Sequence, residues 1–166
     1  MKSLKDKIKK EIIEWLKIIV TSLVIALVIT TFIRPTLVQG SSMYPTLQEK
    51  DYLIINRVAY SRKIPQREDI IVFKTNLLQD NGKKKDLVKR VIALPGDHIK
   101  ISNNEVYLNG QLLNEPYLSP TVITEGDIDM TIPDGYIFVM GDNRPNSMDS
   151  RDPEVGLVNI DDVMGK

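Results

Sequence analysis

The chain has 166 residues, of which 42% are hydrophobic and 27% charged, which is typical of a globular protein with one modest domain beside an anchor. It contains no cysteine, which excludes disulfides, cysteine-ligated zinc and thiol catalysis, and its single histidine, His98, restricts histidine chemistry to one position. The formal net charge is +0, yet residues 1–34 carry seven Lys or Arg against three acids. A basic head on a mildly acidic body argues against nucleic acid as a partner.

The first predicted element is a membrane anchor. Residues 18–33 form an uncharged apolar run, which Trp15 and Leu16 extend upstream, and Lys17 can reach the lipid headgroups. The basic segment 1–17 precedes this run, so the positive-inside rule places the N-terminus in the cytoplasm. We therefore predict a single-pass protein of the cell membrane, with the lipid bilayer as a partner and residues 35–166 on the outer face.

Two other interpretations of this segment are disfavoured. A cleaved signal peptide would use the small residues near Val38-Gln39-Gly40, but the basic region is long and Arg34-Pro35 follows the apolar run directly. A buried soluble helix would show a one-sided apolar period, which the run lacks. Upstream, Leu4, Ile8 and Ile12 share one helical face, so we expect the helix to begin along the membrane surface.

The rest of the chain has the pattern of short strands. Apolar, β-rich runs at 52–55, 70–73 and 136–140 are bounded by charges or turn residues. Residues 99–113 read as a meander with tight turns at Asn103-Asn104 and Asn109-Gly110, and a further turn, Pro95-Gly96-Asp97, ends the preceding strand. Asp80 to Lys85 predicts a solvated loop. The predicted fold is mainly β: a single N-terminal transmembrane helix followed by an antiparallel, barrel-like β domain.

Two residues in this domain are candidates for nucleophilic chemistry. Ser42 follows a Gly-Ser pair, which lets the backbone turn tightly and expose amides, although such a serine can also be a plain turn residue. Its base would be a lysine or a carboxylate, unless His98 serves. Lys89 is the best-placed lysine, because the apolar run around it could lower its pKa; a strand lysine can equally face solvent.

A third segment, Gly141 to Arg151, follows a strand and is rich in small polar residues. By pattern alone it could be a structural loop held by Asx turns and an Asp149–Arg151 pair. Its acids and those just after it lack the spacing of an EF-hand, and no histidine is near. We therefore predict no metal and no cofactor.

Together these segments resemble the type I signal peptidases, also called leader peptidases. The shared motifs, which occur in the family's order over nearly the whole chain, are Ser42-Met43-Tyr44-Pro45-Thr46, Asp69 to Lys74, Lys89-Arg90 with Leu94-Pro95-Gly96-Asp97, and Gly141 to Arg151. The single span and compact size are similar to the short Gram-positive-type members. The resemblance implies a membrane-bound serine endopeptidase that removes signal peptides from exported preproteins after small-x-small (Ala-x-Ala-like) sites.

The resemblance also assigns roles to individual residues. It implies a dyad with Ser42 as nucleophile and Lys89 as general base, and Ser147 as the serine that hydrogen-bonds and orients the lysine. The Ser42 N–H would form the oxyanion hole, where some members add a hydroxyl at the position that Gly40 occupies here. The remaining matches are the pair that supports the loop and the residues that line shallow apolar pockets: Asp149 and Arg151, and Val38, Leu47 and Val88.

Two alternative functions remain open at this level. One is a self-cleaving Ser–Lys protease of the repressor-processing type, against which the membrane span and the missing DNA-binding head argue. The other is a membrane-tethered, non-catalytic β module that binds exported chains. This module would not need to bring Ser42 Oγ and the Lys89 nitrogen within hydrogen-bond distance, so the distance between them discriminates.

Overall fold

A computed structural model describes residues 4–79 and 82–166, and it begins with one long helix. Helix α1 spans Leu4–Phe32, so residues 4–17 of the predicted basic segment and the predicted span belong to one continuous helix, which ends one residue earlier than expected. At 1.5 Å per residue it is about 44 Å long. It is apolar enough to cross a membrane, and its apolar side chains are exposed rather than packed on the β domain.

The rest of the chain forms three antiparallel sheets. A hairpin pairs β1 (Ile33–Leu37) with β2 (Tyr52–Asn56). The central sheet has the order β10-β9-β4-β3-β11, with β3 Ile70–Leu78, β4 Lys84–Ala93, β9 Tyr136–Met140, β10 Val158–Asn159 and β11 Val163–Gly165. The smaller sheet has the order β7-β6-β5-β8, with β5 His98–Ser102, β6 Glu105–Leu108, β7 Gln111–Leu112 and β8 Ile128–Thr131.

The hydrophobic core lies on both faces of the central sheet. Successive residues of β9 alternate between two buried clusters: Phe138 and Met140 pack towards the smaller sheet, whereas Ile137 and Val139 pack towards the opposite side. Because β9 is covered on both faces, all of its positions favour apolar residues, and this explains the uninterrupted apolar run from which the strand was predicted. The curled antiparallel sheets confirm the mainly β, barrel-like fold class.

The predicted turns and the predicted loop had different outcomes. Asn103, Asn104 and Asn109 have positive φ angles at tight turns, as their sequence pattern indicates. The predicted loop Asp80 to Lys85 is shorter than expected, because Lys84 and Lys85 already belong to β4 and pair towards β3. Asp80 and Asn81 of that loop lie outside the described residues.

Strand β4 is the element that positions the site, because its two halves differ in pairing. Strand β9 pairs with it only at residues 90–93, whereas β3 pairs with residues 84–90. Within the described part of the chain, residues 85–89 therefore have a strand on one side and an open edge on the other. The open edge faces the segment that leads from β1 to Ser42.

Candidate active site

The loop after β1 carries Ser42. Gly40 opens the turn with a φ of +87°, a left-handed conformation that favours glycine. Val38 is buried and both of its backbone polar groups form 2.9 Å hydrogen bonds across the loop, while Met43 is buried directly after the serine. The Ser42 backbone N–H donates to no acceptor within the described part of the chain. The serine is thus anchored on both sides and has a free amide.

Lys89 lies in the open-edged half of β4, with only 2% of its surface exposed. Its Nζ donates to Ser42 Oγ at 2.7 Å and to the Val88 carbonyl at 2.9 Å. Burial lowers the pKa of Lys89 to about 8, because loss of water disfavours the ammonium form more than the nearby Asp149 carboxylate favours it. The predicted nucleophile and base therefore meet, and an appreciable fraction of the base is neutral near pH 8.

The loop 141–151 begins directly against the nucleophile. A Cβ at Gly141 would overlap the Ser42 carbonyl oxygen and the Ser147 side chain, so this approach requires glycine. The Asn143 backbone N–H donates to the Ser42 carbonyl at 3.0 Å, and its side-chain amide donates to the preceding carbonyl at 3.0 Å. The loop therefore fixes the backbone on which the nucleophile sits.

Ser147 lies beside the dyad without joining it. Its hydroxyl oxygen is buried and forms no hydrogen bond of standard geometry in the described part of the chain, although it lies close enough to Asp149 to help lower the pKa of that carboxyl. The predicted hydrogen bond to Lys89 is not formed, since the lysine nitrogen bonds to Ser42 and to a backbone carbonyl instead. The orienting role of Ser147 therefore stays a prediction.

Asp149 and Arg151 form a buried ion pair inside the same loop. Arg151 Nε and Nη2 donate to the two Asp149 carboxylate oxygens at 2.9 Å each, and the Gly141 N–H donates to Asp149 Oδ2 at 2.9 Å. Burial alone would raise the pKa of Asp149, but Arg151 and the Gly141 N–H outweigh it and hold the pKa below its usual range. Because Arg151 also donates to the Arg144 carbonyl at 2.7 Å, the pair links both ends of the loop.

A second buried ion pair, absent from the predicted set of site residues, ties the site together. Arg90 points to the opposite strand face from Lys89, as alternation predicts, and its Nε and Nη2 donate to the Asp142 oxygens at 2.9 and 2.6 Å. Thr46, from the loop after β1 that carries Ser42, donates to the same carboxylate at 2.5 Å. The Arg90 guanidinium also lies 3.9 Å from the centroid of the Tyr117 ring. The only sequence signal for this cluster is that Arg90, Asp142 and Thr46 lie inside the shared motifs, and Tyr117 has no such signal.

An open groove of about 430 Å³ leads to the dyad. It runs along residues 85–89 of β4 and residues 36–40, and Val38 and Val88 line it as predicted pocket residues. Leu47, also predicted as a pocket residue, instead lines a neighbouring apolar hollow of about 330 Å³ that shares Val88. The structure therefore places two of the three predicted pocket residues in the groove itself.

His98 lies outside this site. Its Nε2 pairs with Asp129 at 2.7 Å on the smaller sheet, and the side chain is about half exposed. Within residues 4–79 and 82–166, no group of three or more Asp, Glu or His side chains is arranged to hold a metal ion. Among the predicted candidates for a base, only Lys89 contacts Ser42.

Comparison with known proteins agrees with this geometry. Residues 12–166 match the family described as signal peptidase, peptidase S26. Signal peptidase I S of Bacillus subtilis is 40% identical over 162 residues, covering 91% of this chain and 84% of the relative. Signal peptidase I of Bacillus caldolyticus is 43% identical over 142 residues, covering 78% and 74%. A crystal structure of a signal peptidase I from Enterococcus faecalis, 34% identical, matches with a TM-score of 0.50 over 62% of this chain and 96% of that one.

The fold, the site and these matches define a serine endopeptidase. The chain belongs to the signal peptidase family, peptidase S26, and is a protease that cleaves signal peptides. The resemblance predicted from the motifs is confirmed. A purely non-catalytic binding module is not the class to which this chain belongs.

Proposed function

We propose that this peptidase cleaves exported preproteins after small-x-small sites, with Ser42 as nucleophile and Lys89 as general base, at the outer face of the cell membrane. The observation that carries the proposal is the 2.7 Å contact between Lys89 Nζ and Ser42 Oγ. It is supported by the burial that lowers the pKa of Lys89 to about 8. A lysine works as a base only when its environment favours the neutral amine in this way.

In the acylation step, neutral Lys89 accepts the hydroxyl proton of Ser42 while Oγ attacks the scissile carbonyl carbon. The carbonyl electrons move to oxygen, and the free Ser42 N–H donates to this oxyanion. Gly40 has no hydroxyl, so any second donor at that position comes from the backbone. The Lys89 ammonium then gives its proton to the leaving amine as the C–N bond breaks, and the signal peptide remains esterified to Ser42.

In the deacylation step, Lys89 is neutral again and accepts a proton from water. The resulting hydroxide equivalent attacks the ester carbonyl, the bond to Ser42 Oγ breaks, and the lysine returns the proton to the serine. Ser147 is proposed as a positioning residue in this cycle, supported by its buried hydroxyl with a free hydrogen-bonding capacity. Replacing it by alanine should lower kcat more than it changes KM and should shift the acid limb of the pH profile.

The groove supports recognition of an extended substrate. The open edge of residues 85–89 can take up one more strand through backbone hydrogen bonds, which gives affinity without regard to sequence. Val38 and Val88 then lie under alternate substrate side chains, where shallow apolar surfaces favour small residues. This arrangement suits an Ala-x-Ala-like site and would place its final carbonyl over Ser42.

The membrane placement rests on helix α1 and on the position of the nucleophile. Ser42 follows Phe32 by ten residues, so at about 3.3 Å per residue it lies at most about 33 Å from the end of the helix. A chain without cysteine allows a direct topology test. In intact cells, Lys100→Cys should react with a membrane-impermeant maleimide, whereas Lys7→Cys should react only after the membrane is opened. The reverse pattern would contradict the proposed orientation.

The experiment that tests the dyad is cleavage of a preprotein carrying an Ala-x-Ala site by the full chain in detergent micelles. Ser42→Ala should produce no mature protein while its circular dichroism and thermal unfolding stay those of the wild type. Ser41→Ala, which changes the neighbouring exposed serine, is the matched control and should retain cleavage. N-terminal sequencing of the product identifies the cleaved bond. Full activity of Ser42→Ala, or cleavage of the enzyme itself in place of the preprotein, would overturn the proposal.

A further inference from the structure

A second cavity lies beside the active-site groove and has a different chemical character. It measures about 290 Å³ and is lined by three cationic side chains, from Arg34 in β1, Lys74 in β3 and Lys84 in β4. Lys84 Nζ donates to Asn76 Oδ1 at 2.9 Å, and the Lys74 side chain forms no hydrogen bond or ion pair within the described part of the chain. We call this cavity the basic pocket.

The basic pocket lies where helix α1 enters the β domain. Arg34 follows the last helical residue, Phe32, by only two positions, so the pocket begins within about 7 Å of the helix end. The uncharged apolar run that is predicted to cross the membrane ends at residue 33, directly before Arg34, so Arg34 enters the headgroup region. The pocket therefore lies at the level of the lipid phosphates if the helix spans the membrane.

The charges of the pocket favour an anion that also carries hydroxyl groups. The three cations outnumber its two acids, Asp86 and Asp162, and Asp86 already lies 3.9 Å from Arg34. Ammonium and guanidinium groups are the usual protein partners of a phosphate. The Asn76 amide and the Asp162 carboxylate add acceptors, which match the hydroxyls of a polyol headgroup such as glycerol.

We propose that the basic pocket binds the headgroup of an anionic glycerophospholipid of the outer leaflet, with Lys74 and Lys84 on the phosphate. The proposal rests on the membrane tether proposed above. Since Arg34 and Asp86 line both the pocket and the active-site groove, the bound headgroup borders the path of the substrate. A soluble phosphate has the same charge but lacks the fixed depth that the helix gives to a lipid.

The experiment compares lipids around the full chain reconstituted in vesicles. Spin-labelled phosphatidylglycerol and spin-labelled phosphatidylcholine each give a motionally restricted fraction, from which the relative association constant of the two lipids follows. The wild type should prefer phosphatidylglycerol, and Lys74→Gln/Lys84→Gln should lose roughly fivefold of that preference for each lysine. Lys100→Gln, which removes one exposed charge from the smaller sheet, should keep the preference. Preprotein cleavage in detergent should be the same for all these variants.

Three results would overturn the proposal. The first is an equal association of both lipids with the wild type, and the second is an undiminished preference in the double variant. The third is displacement of the labelled lipid by inorganic phosphate but not by chloride at equal ionic strength, which would make this a site for soluble phosphate. A failure of the tether itself is recognised separately, because the wild-type protein would then not float with the vesicles.

Discussion

The central sheet and the smaller sheet differ in the exposure of their charged side chains. Around the dyad, the central sheet and its loops bury Lys89, Arg90, Asp142 and Asp149, each with at most 7% of its surface exposed. On the smaller sheet, His98 and Lys100 pair with Asp129 at the surface, where each side chain is about half exposed. Beneath these surface pairs, the smaller sheet buries apolar side chains such as Ile99 and Ile101.

This difference separates charges that serve chemistry from charges that serve solubility. A buried charge costs several kcal/mol in lost solvation, so it persists only with partners that offset the cost. Arg90 and Asp149 have such partners, but Lys89 is held by a hydroxyl and a carbonyl. Among the described residues, the one buried cation without a carboxylate hydrogen-bonded to it is therefore the one that the proposed reaction requires to be neutral.

The largest effect is expected from replacing Lys89 by Met. Cleavage should fall by about 10⁴-fold or more, because the serine loses its base. The same variant should be more stable at pH 7 by up to about 3 kcal/mol, since the pKa of about 8 in the folded state lies below the ordinary lysine value of about 10.4. This stability cost is present in full below pH 8 and disappears as pH rises towards 10.4.

Thermal unfolding at pH 7 and pH 10, alongside preprotein cleavage, measures both effects of Lys89→Met. Lys85→Met, which removes an exposed lysine from the same strand, is the control for the change of charge. An unchanged or lower stability of Lys89→Met at pH 7 would show that the buried lysine carries no solvation cost.

The second largest effect is expected from Arg90→Ala. It leaves Asp142 buried without its cation, which should lower the free energy of unfolding by about 3–5 kcal/mol. Denaturation in detergent compares this variant with Arg90→Met/Asp142→Asn, which removes both charges and should cost less than the two single changes added together. If the double variant loses as much stability as the two single changes added together, the ion pair does not link the loop that carries Ser42 to β4.

A smaller loss, of about 100-fold in kcat/KM, is expected from Gly141→Ala. The new methyl group must displace the Ser42 carbonyl or Ser147, and a misplacement of about 1 Å is enough for this effect. Gly135→Ala, at a turn with a φ of +81° where a Cβ meets nothing within 4 Å, strains the backbone without displacing the Ser42 loop, so it should lower stability and keep kcat/KM. Wild-type kinetics in Gly141→Ala would show that the loop does not fix the nucleophile.

A modest shift of the pH profile is expected from Lys85→Gln. Activity requires neutral Lys89, so kcat should rise with pH through about 8 in the wild type. Burial causes most of this lowered pKa and the charge of Lys85 adds to it, so removing that charge should move the acid limb upward. Lys84→Gln is the control. An acid limb near 10 in the wild type would contradict the role of Lys89 as a base.

The smallest effect is expected on the smaller sheet. Lys100→Gln removes an exposed partner of Asp129, and the water around both groups compensates for the loss. Cleavage should be unchanged, and Tm should change less than in any variant above. A loss comparable to that of Arg90→Ala would erase the distinction between the two sheets.

The fold was predictable where side-chain alternation is strong. The runs at 52–55, 70–73 and 136–140 became strands because an apolar face or two apolar faces demand burial. Strands β1, β8, β10 and β11 were not predicted. Strand β1 contains Pro35, β8 reads Ile-Asp-Met-Thr, and β11 has three residues, so their pairing depends on tertiary neighbours rather than on local pattern.

The sequence motifs predicted which residues belong to the site, but they did not predict the contacts among those residues. Residue type and surroundings made Ser42 and Lys89 candidates, because a nucleophile needs a base that burial can tune, and the resemblance to the family assigned their roles. The contact of Arg90 with Asp142 joins positions 52 residues apart, and no local pattern announces such a pair. The missing contact between Ser147 and Lys89 depends on side-chain rotamers, which a sequence does not specify.

Helix α1 passes directly into strand β1, and this junction restricts how the β domain can move relative to the helix. No loop residue separates Phe32 from Ile33, and β1 is paired with β2 along its whole length. If α1 spans the membrane as proposed, a β domain joined in this way has little freedom to rise or tilt, and covalent geometry sets the height of Ser42 above the bilayer. Under that proposal, the bond to be cut is selected by its distance from the membrane as well as by the residues around it.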